Sequence, residues 1–527
     1  MASAHPSATE AAHWVAQQGG NAFDAAVAVT AVLGVVEPMS SGLGGGGFWL
    51  IHRVRDGYQI MVDGRERAPL KAYRDMYLDH TGEVIPGASL NGPLAAAIPG
   101  EPAALAHIAE TYGRLPLSVS LRPAIELAAD GFGIGERYRR RAEWRISVFN
   151  KRGRELFLRD GQVPEAGALV RQPELAATLR ELAENGNDGF YAGWVASTLI
   201  SEISTAGGIW TRRDLSEYQI VERAPIISHY HSARIVSASL PSSGGIVLGQ
   251  ILNMLQLRPS LGGDRVDEVH TIVEAMRRAY RDRALFLGDA DFINVDQGAL
   301  IEPAYARRQV VDMTDVATPS GRLAAPERGR ARGEDTSHFS IIDDEGNRVA
   351  ATLSINYPFG CGFVSRGTGV VLNNEMDDFV SKPGVANVYG LVGGAANAIE
   401  PGKRPLSSMS PTFVEASDFV ALVGTPGGSR IITMVLLALL ELLDAGERDI
   451  NAVVNLPRYH HQYLPDTITF EAGALDQETI SGLQARGHEL NKRKAPYGDM
   501  HAVFWDLISN SLSAASDGRG EGQARVW

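Results

Sequence analysis

Residues 336–356 constrain this chain more than any other stretch. Thr336-Ser337-His338-Phe339-Ser340-Ile341-Ile342 alternates, with His338, Ser340 and Ile342 on one side and Phe339 and Ile341 on the other. Asp343-Asp344-Glu345-Gly346-Asn347 is a turn signal, and Arg348 to Ile355 reads as the returning strand of a hairpin. With the turn centred on Glu345, Thr336 and Ser354 each lie nine residues from the centre and face one another. Directly opposed residues in an antiparallel pair point to one face, with Cβ atoms about 4.5–5.5 Å apart. A second hydroxyl therefore arrives beside the first, with Asn356 next along that face. A slip of one residue destroys the pairing. An ordinary hairpin with hydroxyls on its polar face fits the same letters.

The segment before the hairpin, residues 313–335, carries Pro319, Gly321, Pro326, Gly329 and Gly333 among Arg322, Arg328, Arg330 and Arg332. It has little apolar surface to bury, and mobility is the expectation. A threonine hydroxyl is a poor nucleophile without an adjacent base. Cutting the chain before the threonine supplies one, because the freed α-amine takes that part. Asp335-Thr336, between a loose segment and a strand, is placed for such a cut.

Five stretches carry a resemblance: Asp63-Gly64-Arg65-Glu66-Arg67-Ala68-Pro69, Asp335-Thr336-Ser337-His338-Phe339-Ser340, Leu372-Asn373-Asn374-Glu375-Met376-Asp377-Asp378-Phe379, Arg404-Pro405-Leu406-Ser407-Ser408-Met409-Ser410-Pro411 and Gly424-Thr425-Pro426-Gly427-Gly428-Ser429-Arg430. In this order they resemble the γ-glutamyltranspeptidase (glutathione hydrolase) family of N-terminal-nucleophile hydrolases. The likeness runs from His5 to Asp517. It implies an α+β fold, a four-layer αββα sandwich. A precursor would cut itself into a large portion, residues 1–335, and a small portion, residues 336–527, which stay together as one heterodimeric body.

Composition agrees with a globular protein: 44% hydrophobic and 21% charged residues. The formal net charge of −13 argues against nucleic-acid binding. The single cysteine, Cys361, rules out an intrachain disulfide. With no basic partner evident it reads as a packing residue. The longest apolar runs, Ala25 to Val36 and Ile431 to Leu443, are too short to span a membrane. Met1 to His5 shows no basic or apolar leader. The resemblance points to the periplasm or the exterior, with the cytoplasm left open.

The rest of the chain reads as α/β. Ser7 and Glu10 suggest a capping box, and Asn21 caps a buried helix that stops near Glu37-Pro38. Helices are expected near 101–112, 118–130, 172–185 and 191–206, with a strand near 218–238. Gly42-Leu43-Gly44-Gly45-Gly46-Gly47 fits a G-x-G-x-x-G template but follows a helix and precedes a strand. A dinucleotide site needs the reverse order, so close backbone packing is the better reading. Arg137 to Arg141 with Arg145 reads as the solvated face of a helix. His229/His231 and His460/His461 lack the third ligand a metal needs.

The resemblance assigns roles. A γ-glutamyl group carries a carboxylate and an ammonium at one end and the scissile carbonyl at the other. Arg65 would bind the α-carboxylate, helped by Ser407 and Ser408; Asp378, Glu375 and Asn356 would hold the ammonium. Taken alone, Arg65 in Arg65-Glu66-Arg67 also reads as a surface ion pair. Gly427 and Gly428, between the strand Phe419 to Val423 and the helix from Ile431, would direct N–H groups at the oxyanion. Thr336 would attack, its α-amine would take the proton, and Ser354 would hydrogen-bond and orient it. Lys382 to Gly390 resembles a lid loop, with Tyr389 as the cover and Gly384 and Gly390 as hinges. No cofactor or metal is implied. The implied partners are glutathione and other γ-glutamyl donors, poly-γ-glutamate included, with amino acids or dipeptides as acceptors. An acylase for glutaryl side chains of β-lactams, and an unprocessed binding protein, are the alternatives.

Overall fold

A computed structural model describes residues 1–258, 264–323, 336–382 and 384–527. Two antiparallel sheets lie face to face at its centre. The first has seven strands in the order Gln523–Ala524, Ala2–Ser3, Ser337–Ile342, Arg348–Ser354, Gly46–Arg53, Tyr58–Gly64, Val221–Arg223. The second has six: Ser511–Ser516, His501–Asp506, Phe419–Gly424, Thr412–Glu415, Ala233–Ser237, Ile226–Tyr230. The helix Ala22–Val36 covers the outer face of the first sheet, and Gly244–Leu257 and Ile431–Leu440 cover that of the second. The layers are thus helix, sheet, sheet, helix. Both sheets draw strands from either side of residue 335, so the two portions share their cores.

The hairpin has the expected register. Leu353 pairs with Ser337 and Val349 with Ile341, and one further step sets Ser354 opposite Thr336. Both faces are buried. Phe339, Ile341, Val349, Ala351 and Leu353 pack with the Ala22–Val36 helix. The other face carries His338, bonded to Thr352 Oγ1 at 2.9 Å, and Ser340, whose hydroxyl donates to the His501 carbonyl at 3.2 Å. That polar face meets the second sheet rather than water. Burial pushes His338 well below its ordinary pKa, so it stays neutral.

The glycine run serves close approach. A Cβ on Gly44 would lie 1.9 Å from the Val371 carbonyl oxygen, and one on Gly45 would lie 2.2 Å from that of Ser354. Gly46 pairs with Ser354 in the sheet, so this run backs the end of the hairpin strand.

Several expectations need correction. His5, not Ser7, caps the first helix, its Nδ1 accepting from the Ser7 amide. The Asn21 capping box is present, with Asp24 as its partner. The helices Glu101–Tyr112, Pro173–Asn185 and Gly193–Thr205 lie where expected, but 118–130 divides into Leu117–Ser120 and Arg122–Asp130. The single strand expected near 218–238 is three, with His231 at φ 51° in a turn, so His229 and His231 do not share a strand face. The arginine run is only half solvated. Arg137 is buried against Glu37 and Asp499, and Arg145 donates to the carbonyls of Pro358 and Gly360. Cys361 is fully buried, and burial raises its thiol to about 12. No described helix is long and apolar enough to cross a membrane.

The stretch up to Leu323 is also more ordered than its composition suggests. The Thr318 amide donates to Glu274 and the Ser320 amide to Asp466, and Tyr463 donates its hydroxyl to the Leu323 carbonyl. Polar clamps replace the missing apolar surface. Residues 324–335, with the proposed cut before Thr336 and the mobility expected there, lie outside the described residues.

Gly45→Ala should destabilise the fold by roughly 1–3 kcal/mol through overpacking, read as a lower urea midpoint. A second expectation concerns pH. Glu101 is fully buried, and burial raises its pKa to about 8, opposed only by the backbone amide of Gly42. Its folded pKa lies above the unfolded value, so its contribution is complete below about 4.5 and lost as the pH rises through about 8. Glu101→Gln should flatten the fall in melting temperature across that window.

Candidate active site

The hairpin ends in a small buried cavity. Thr336, Ser354, Asn356, Arg65, Glu375, Asp378, Ser407, Ser408, Gly428 and Tyr389 all line it. Residues some 340 positions apart in sequence thus converge on one place, because the chain threads both sheets on each side of the hairpin.

At the strand end, Thr336 is only 3% exposed. Ser354 Oγ accepts the Asn356 amide at 2.7 Å instead of bonding the Thr336 hydroxyl as expected. Its own proton is thereby left to donate within the cavity. Asn356 sits at φ 71°, and its side-chain amide donates to the Asn374 carbonyl at 2.9 Å. The left-handed turn ends the strand and swings the chain away from the sheet.

Arg65 follows the strand Tyr58–Gly64 and is fully buried. Its Nε donates to the Pro405 carbonyl at 3.1 Å. Its Nη1 pairs with Glu375 and its Nη2 with Asp378, the latter at 2.6 Å, while Glu66 stands 3.5 Å from Nη1. Burial works against the charged guanidinium, but these three carboxylates outweigh it and hold Arg65 above its ordinary range. The fork expected to meet a substrate carboxylate is therefore largely occupied by the residues expected to meet its ammonium. Burial also raises the pKa of Glu375 well above normal, opposed by Arg65. Its Oε2 is buried without a hydrogen-bond partner. This side of the cavity gathers acids held above their ordinary range by burial and one open acceptor, and an ammonium placed there would favour their charged forms.

The opposite wall carries hydroxyls. Ser407 Oγ accepts the Met409 amide at 3.0 Å, and Ser408 Oγ accepts Nη2 of Arg283 at 3.1 Å. Each hydroxyl acts here as an acceptor from the protein and keeps a proton to give.

Between strand and helix, Gly427 has φ 145° and Gly428 φ 57°, conformations that favour glycine. Gly428 lines the site cavity, while Gly427 lines the neighbouring one beside Pro426 and Tyr497. The Tyr389 ring packs on Gly428, where a Cβ would lie 2.4 Å from it, and the Tyr389 hydroxyl donates to the Asn356 carbonyl at 2.5 Å. Its loop is pinned by Asn387 donating to Asp378 at 3.2 Å and by the Val388 amide donating to Asp377 at 3.0 Å. Gly384 and Gly390 have φ of 82° and 72°.

Arg283 is the charged cavity residue that the sequence did not reveal. It belongs to the helix Arg265–Phe286, which holds several arginines, but it continues the buried stripe Ile272, Met276 and Ala279 at helical spacing. An arginine on such a stripe was the available signal. Among the described residues no cluster of histidine, cysteine or carboxylate side chains has the form of a metal site.

Two stacked antiparallel sheets between helices, with a threonine at the buried start of a central strand, define the N-terminal-nucleophile hydrolase class. A cephalosporin acylase from Bacillus halodurans shares the fold at TM-score 0.86 and 25% identity, covering 100% of this chain and 95% of that one. The γ-glutamyltranspeptidase of Helicobacter pylori matches 60% of this chain and 93% of its own at 38% identity and TM-score 0.58. The γ-glutamyltranspeptidase family model matches residues 8–527. The glutathione hydrolase proenzyme of Escherichia coli is 40% identical over 94% of this chain and 86% of its own. The chain belongs to the γ-glutamyltranspeptidase family.

Ser354→Ala leaves the Asn356 amide without its acceptor and should cost about 1–3 kcal/mol of stability, seen in chemical denaturation. Ser354→Thr keeps the hydroxyl and should restore most of it.

Proposed function

We propose that this protein is a glutathione hydrolase and γ-glutamyltransferase that works through Thr336. The observation that carries the reading is the cavity at the end of the hairpin. It joins a threonine, an acid-rich wall suited to an ammonium and a hydroxyl wall suited to a carboxylate. A γ-glutamyl group presents those two charges at one end and its amide at the other. Relatives named glutathione hydrolase proenzyme match over most of the chain.

In this reading Thr336 first attacks the Asp335 carbonyl, and water releases the ester to leave chains 1–335 and 336–527. The Thr336 hydroxyl then attacks the γ-carbonyl while its freed α-amine accepts the proton. The N–H groups of Gly427 and Gly428 receive the developing oxyanion, an interaction whose loss typically costs about 2.7–4 kcal/mol of barrier. The amine leaves with the proton, and water or an amino acid or peptide amine takes the acyl group. Ser354 donates its free proton beside Thr336, and Tyr389 covers the bound donor.

The likeness to a cephalosporin acylase gives weight to a second reading, in which the acyl group is glutaryl. A glutaryl group has no ammonium to meet the open Glu375 oxygen or Asp378, which favours the γ-glutamyl donor. Intact mass under denaturing conditions should show two chains, the smaller beginning at Thr336, and Thr336→Ala should stay whole and inert. A single uncut chain in both samples would overturn the mechanism.

A further inference from the structure

The carboxylate-binding role expected of Arg65 leaves an electrostatic gap. Most of the Arg65 fork is held by Glu375 and Asp378, so it offers an incoming carboxylate little free hydrogen-bonding capacity. The other wall holds a second guanidinium in a different state. Arg283 is 5% exposed, lines the same cavity and makes two side-chain hydrogen bonds, to Ser243 Oγ at 2.9 Å and Ser408 Oγ at 3.1 Å. Among the described residues no carboxylate lies within ion-pair distance of it, unlike Arg65. A buried charge without a counter-ion is costly. Burial lowers its pKa to about 10, opposed by Tyr280 and Asp378 and reinforced by the nearby charge of Arg65. An anion bound at this wall would supply the missing charge.

The hydrogen bonds add direction. Arg283 cannot accept, so in its bond with Ser408 the hydroxyl oxygen must be the acceptor. The Ser408 proton is then free to point at a ligand. Ser243, the other partner of Arg283, donates to the Ser407 carbonyl at 2.8 Å and ties the guanidinium to the same loop.

We propose that Arg283 is a donor-binding residue of this enzyme: its buried guanidinium supplies the charge opposite the donor's α-carboxylate and holds Ser408 as a hydrogen-bond donor to it. The carboxylate would thus lie between the Arg283–Ser408 pair, Ser407 and the edge of Arg65. Meanwhile the acids around Arg65 take the ammonium. The inference rests on the γ-glutamyl reading above.

The test is steady-state kinetics of self-processed wild type, Arg283→Gln, Arg283→Lys, Ser408→Ala and the Arg283→Gln/Ser408→Ala double variant on γ-glutamyl-4-nitroanilide. Loss of a charge-assisted hydrogen bond should raise KM roughly tenfold or more in Arg283→Gln, with kcat within about threefold. Arg283→Lys should recover part of the loss, and the double variant should be little worse than Arg283→Gln because the two residues act together. Glutarate, which keeps the carboxylate but not the ammonium, should inhibit the wild type better than Arg283→Gln. An unchanged KM, a fall in kcat alone, or penalties that multiply in the double variant would each overturn the proposal. Should Arg283→Gln fail to process itself, Arg283→Lys and Ser408→Ala decide, with an unchanged KM in both counting against it. A processed wild type inert toward the anilide would instead remove the γ-glutamyl reading, and the inference with it.

Discussion

The register that ends at the Ser337–Leu353 pair, and so sets Thr336 opposite Ser354 at the open end of a strand buried on both faces, is the constraint on which the rest of the site depends. A hydroxyl nucleophile needs fixed surroundings, since catalysis falls steeply with small misplacements. This strand gains its rigidity from both sides. The Ala22–Val36 helix packs one face and the second sheet packs the other. The glycine run behind it then lets the neighbouring strand approach so closely that even a methyl group would collide with the Ser354 carbonyl. Position at the strand end thus follows from packing far from the reacting atoms.

Much of this was legible because it is local. The hairpin register came from alternation and a turn centre, and the glycine run from its order relative to helix and strand. Asn21 announced its helix through a short-range cap. What failed was tertiary. Arg137 and Arg145 looked solvated because a run of arginines gives no sign of the carboxylates and carbonyls it will meet. The segment to Leu323 looked loose because its clamps, Glu274, Asp466 and Tyr463, lie elsewhere in the chain. Ser354 was expected to bond Thr336, yet the left-handed Asn356 turns its own amide onto that hydroxyl. The residues of the site were found by resemblance, while their partners were found only in three dimensions.

The loop that carries Tyr389 is bonded to the acid wall. Asn387 bonds Asp378, whose other oxygen bonds Arg65, and the Val388 amide bonds Asp377. Burial raises Asp377 to about 6, opposed by its bonds from Ser89 and Val388. A loop tied to the carboxylates that define the pocket moves only by breaking those bonds. On the proposed reading, occupancy of the ammonium end and closure of the cover would be coupled through Asp378.

The two walls of the cavity also explain why this fold holds so much buried charge. Around Arg65 three carboxyl groups gather on one guanidinium, whereas the Arg283 guanidinium hydrogen-bonds only the hydroxyls of Ser243 and Ser408, with Asp378 in its field but not paired with it. Each wall is unbalanced alone, in opposite senses. Pairing Arg283 with an acid of its own would stabilise the empty protein but would remove its attraction for an anion. A zwitterionic end group corrects both imbalances at once, whereas a group bearing only one of the charges corrects one and leaves the other. On the proposed γ-glutamyl reading, recognition would rest on these two walls, and their separation would set the orientation in which the amide meets Thr336.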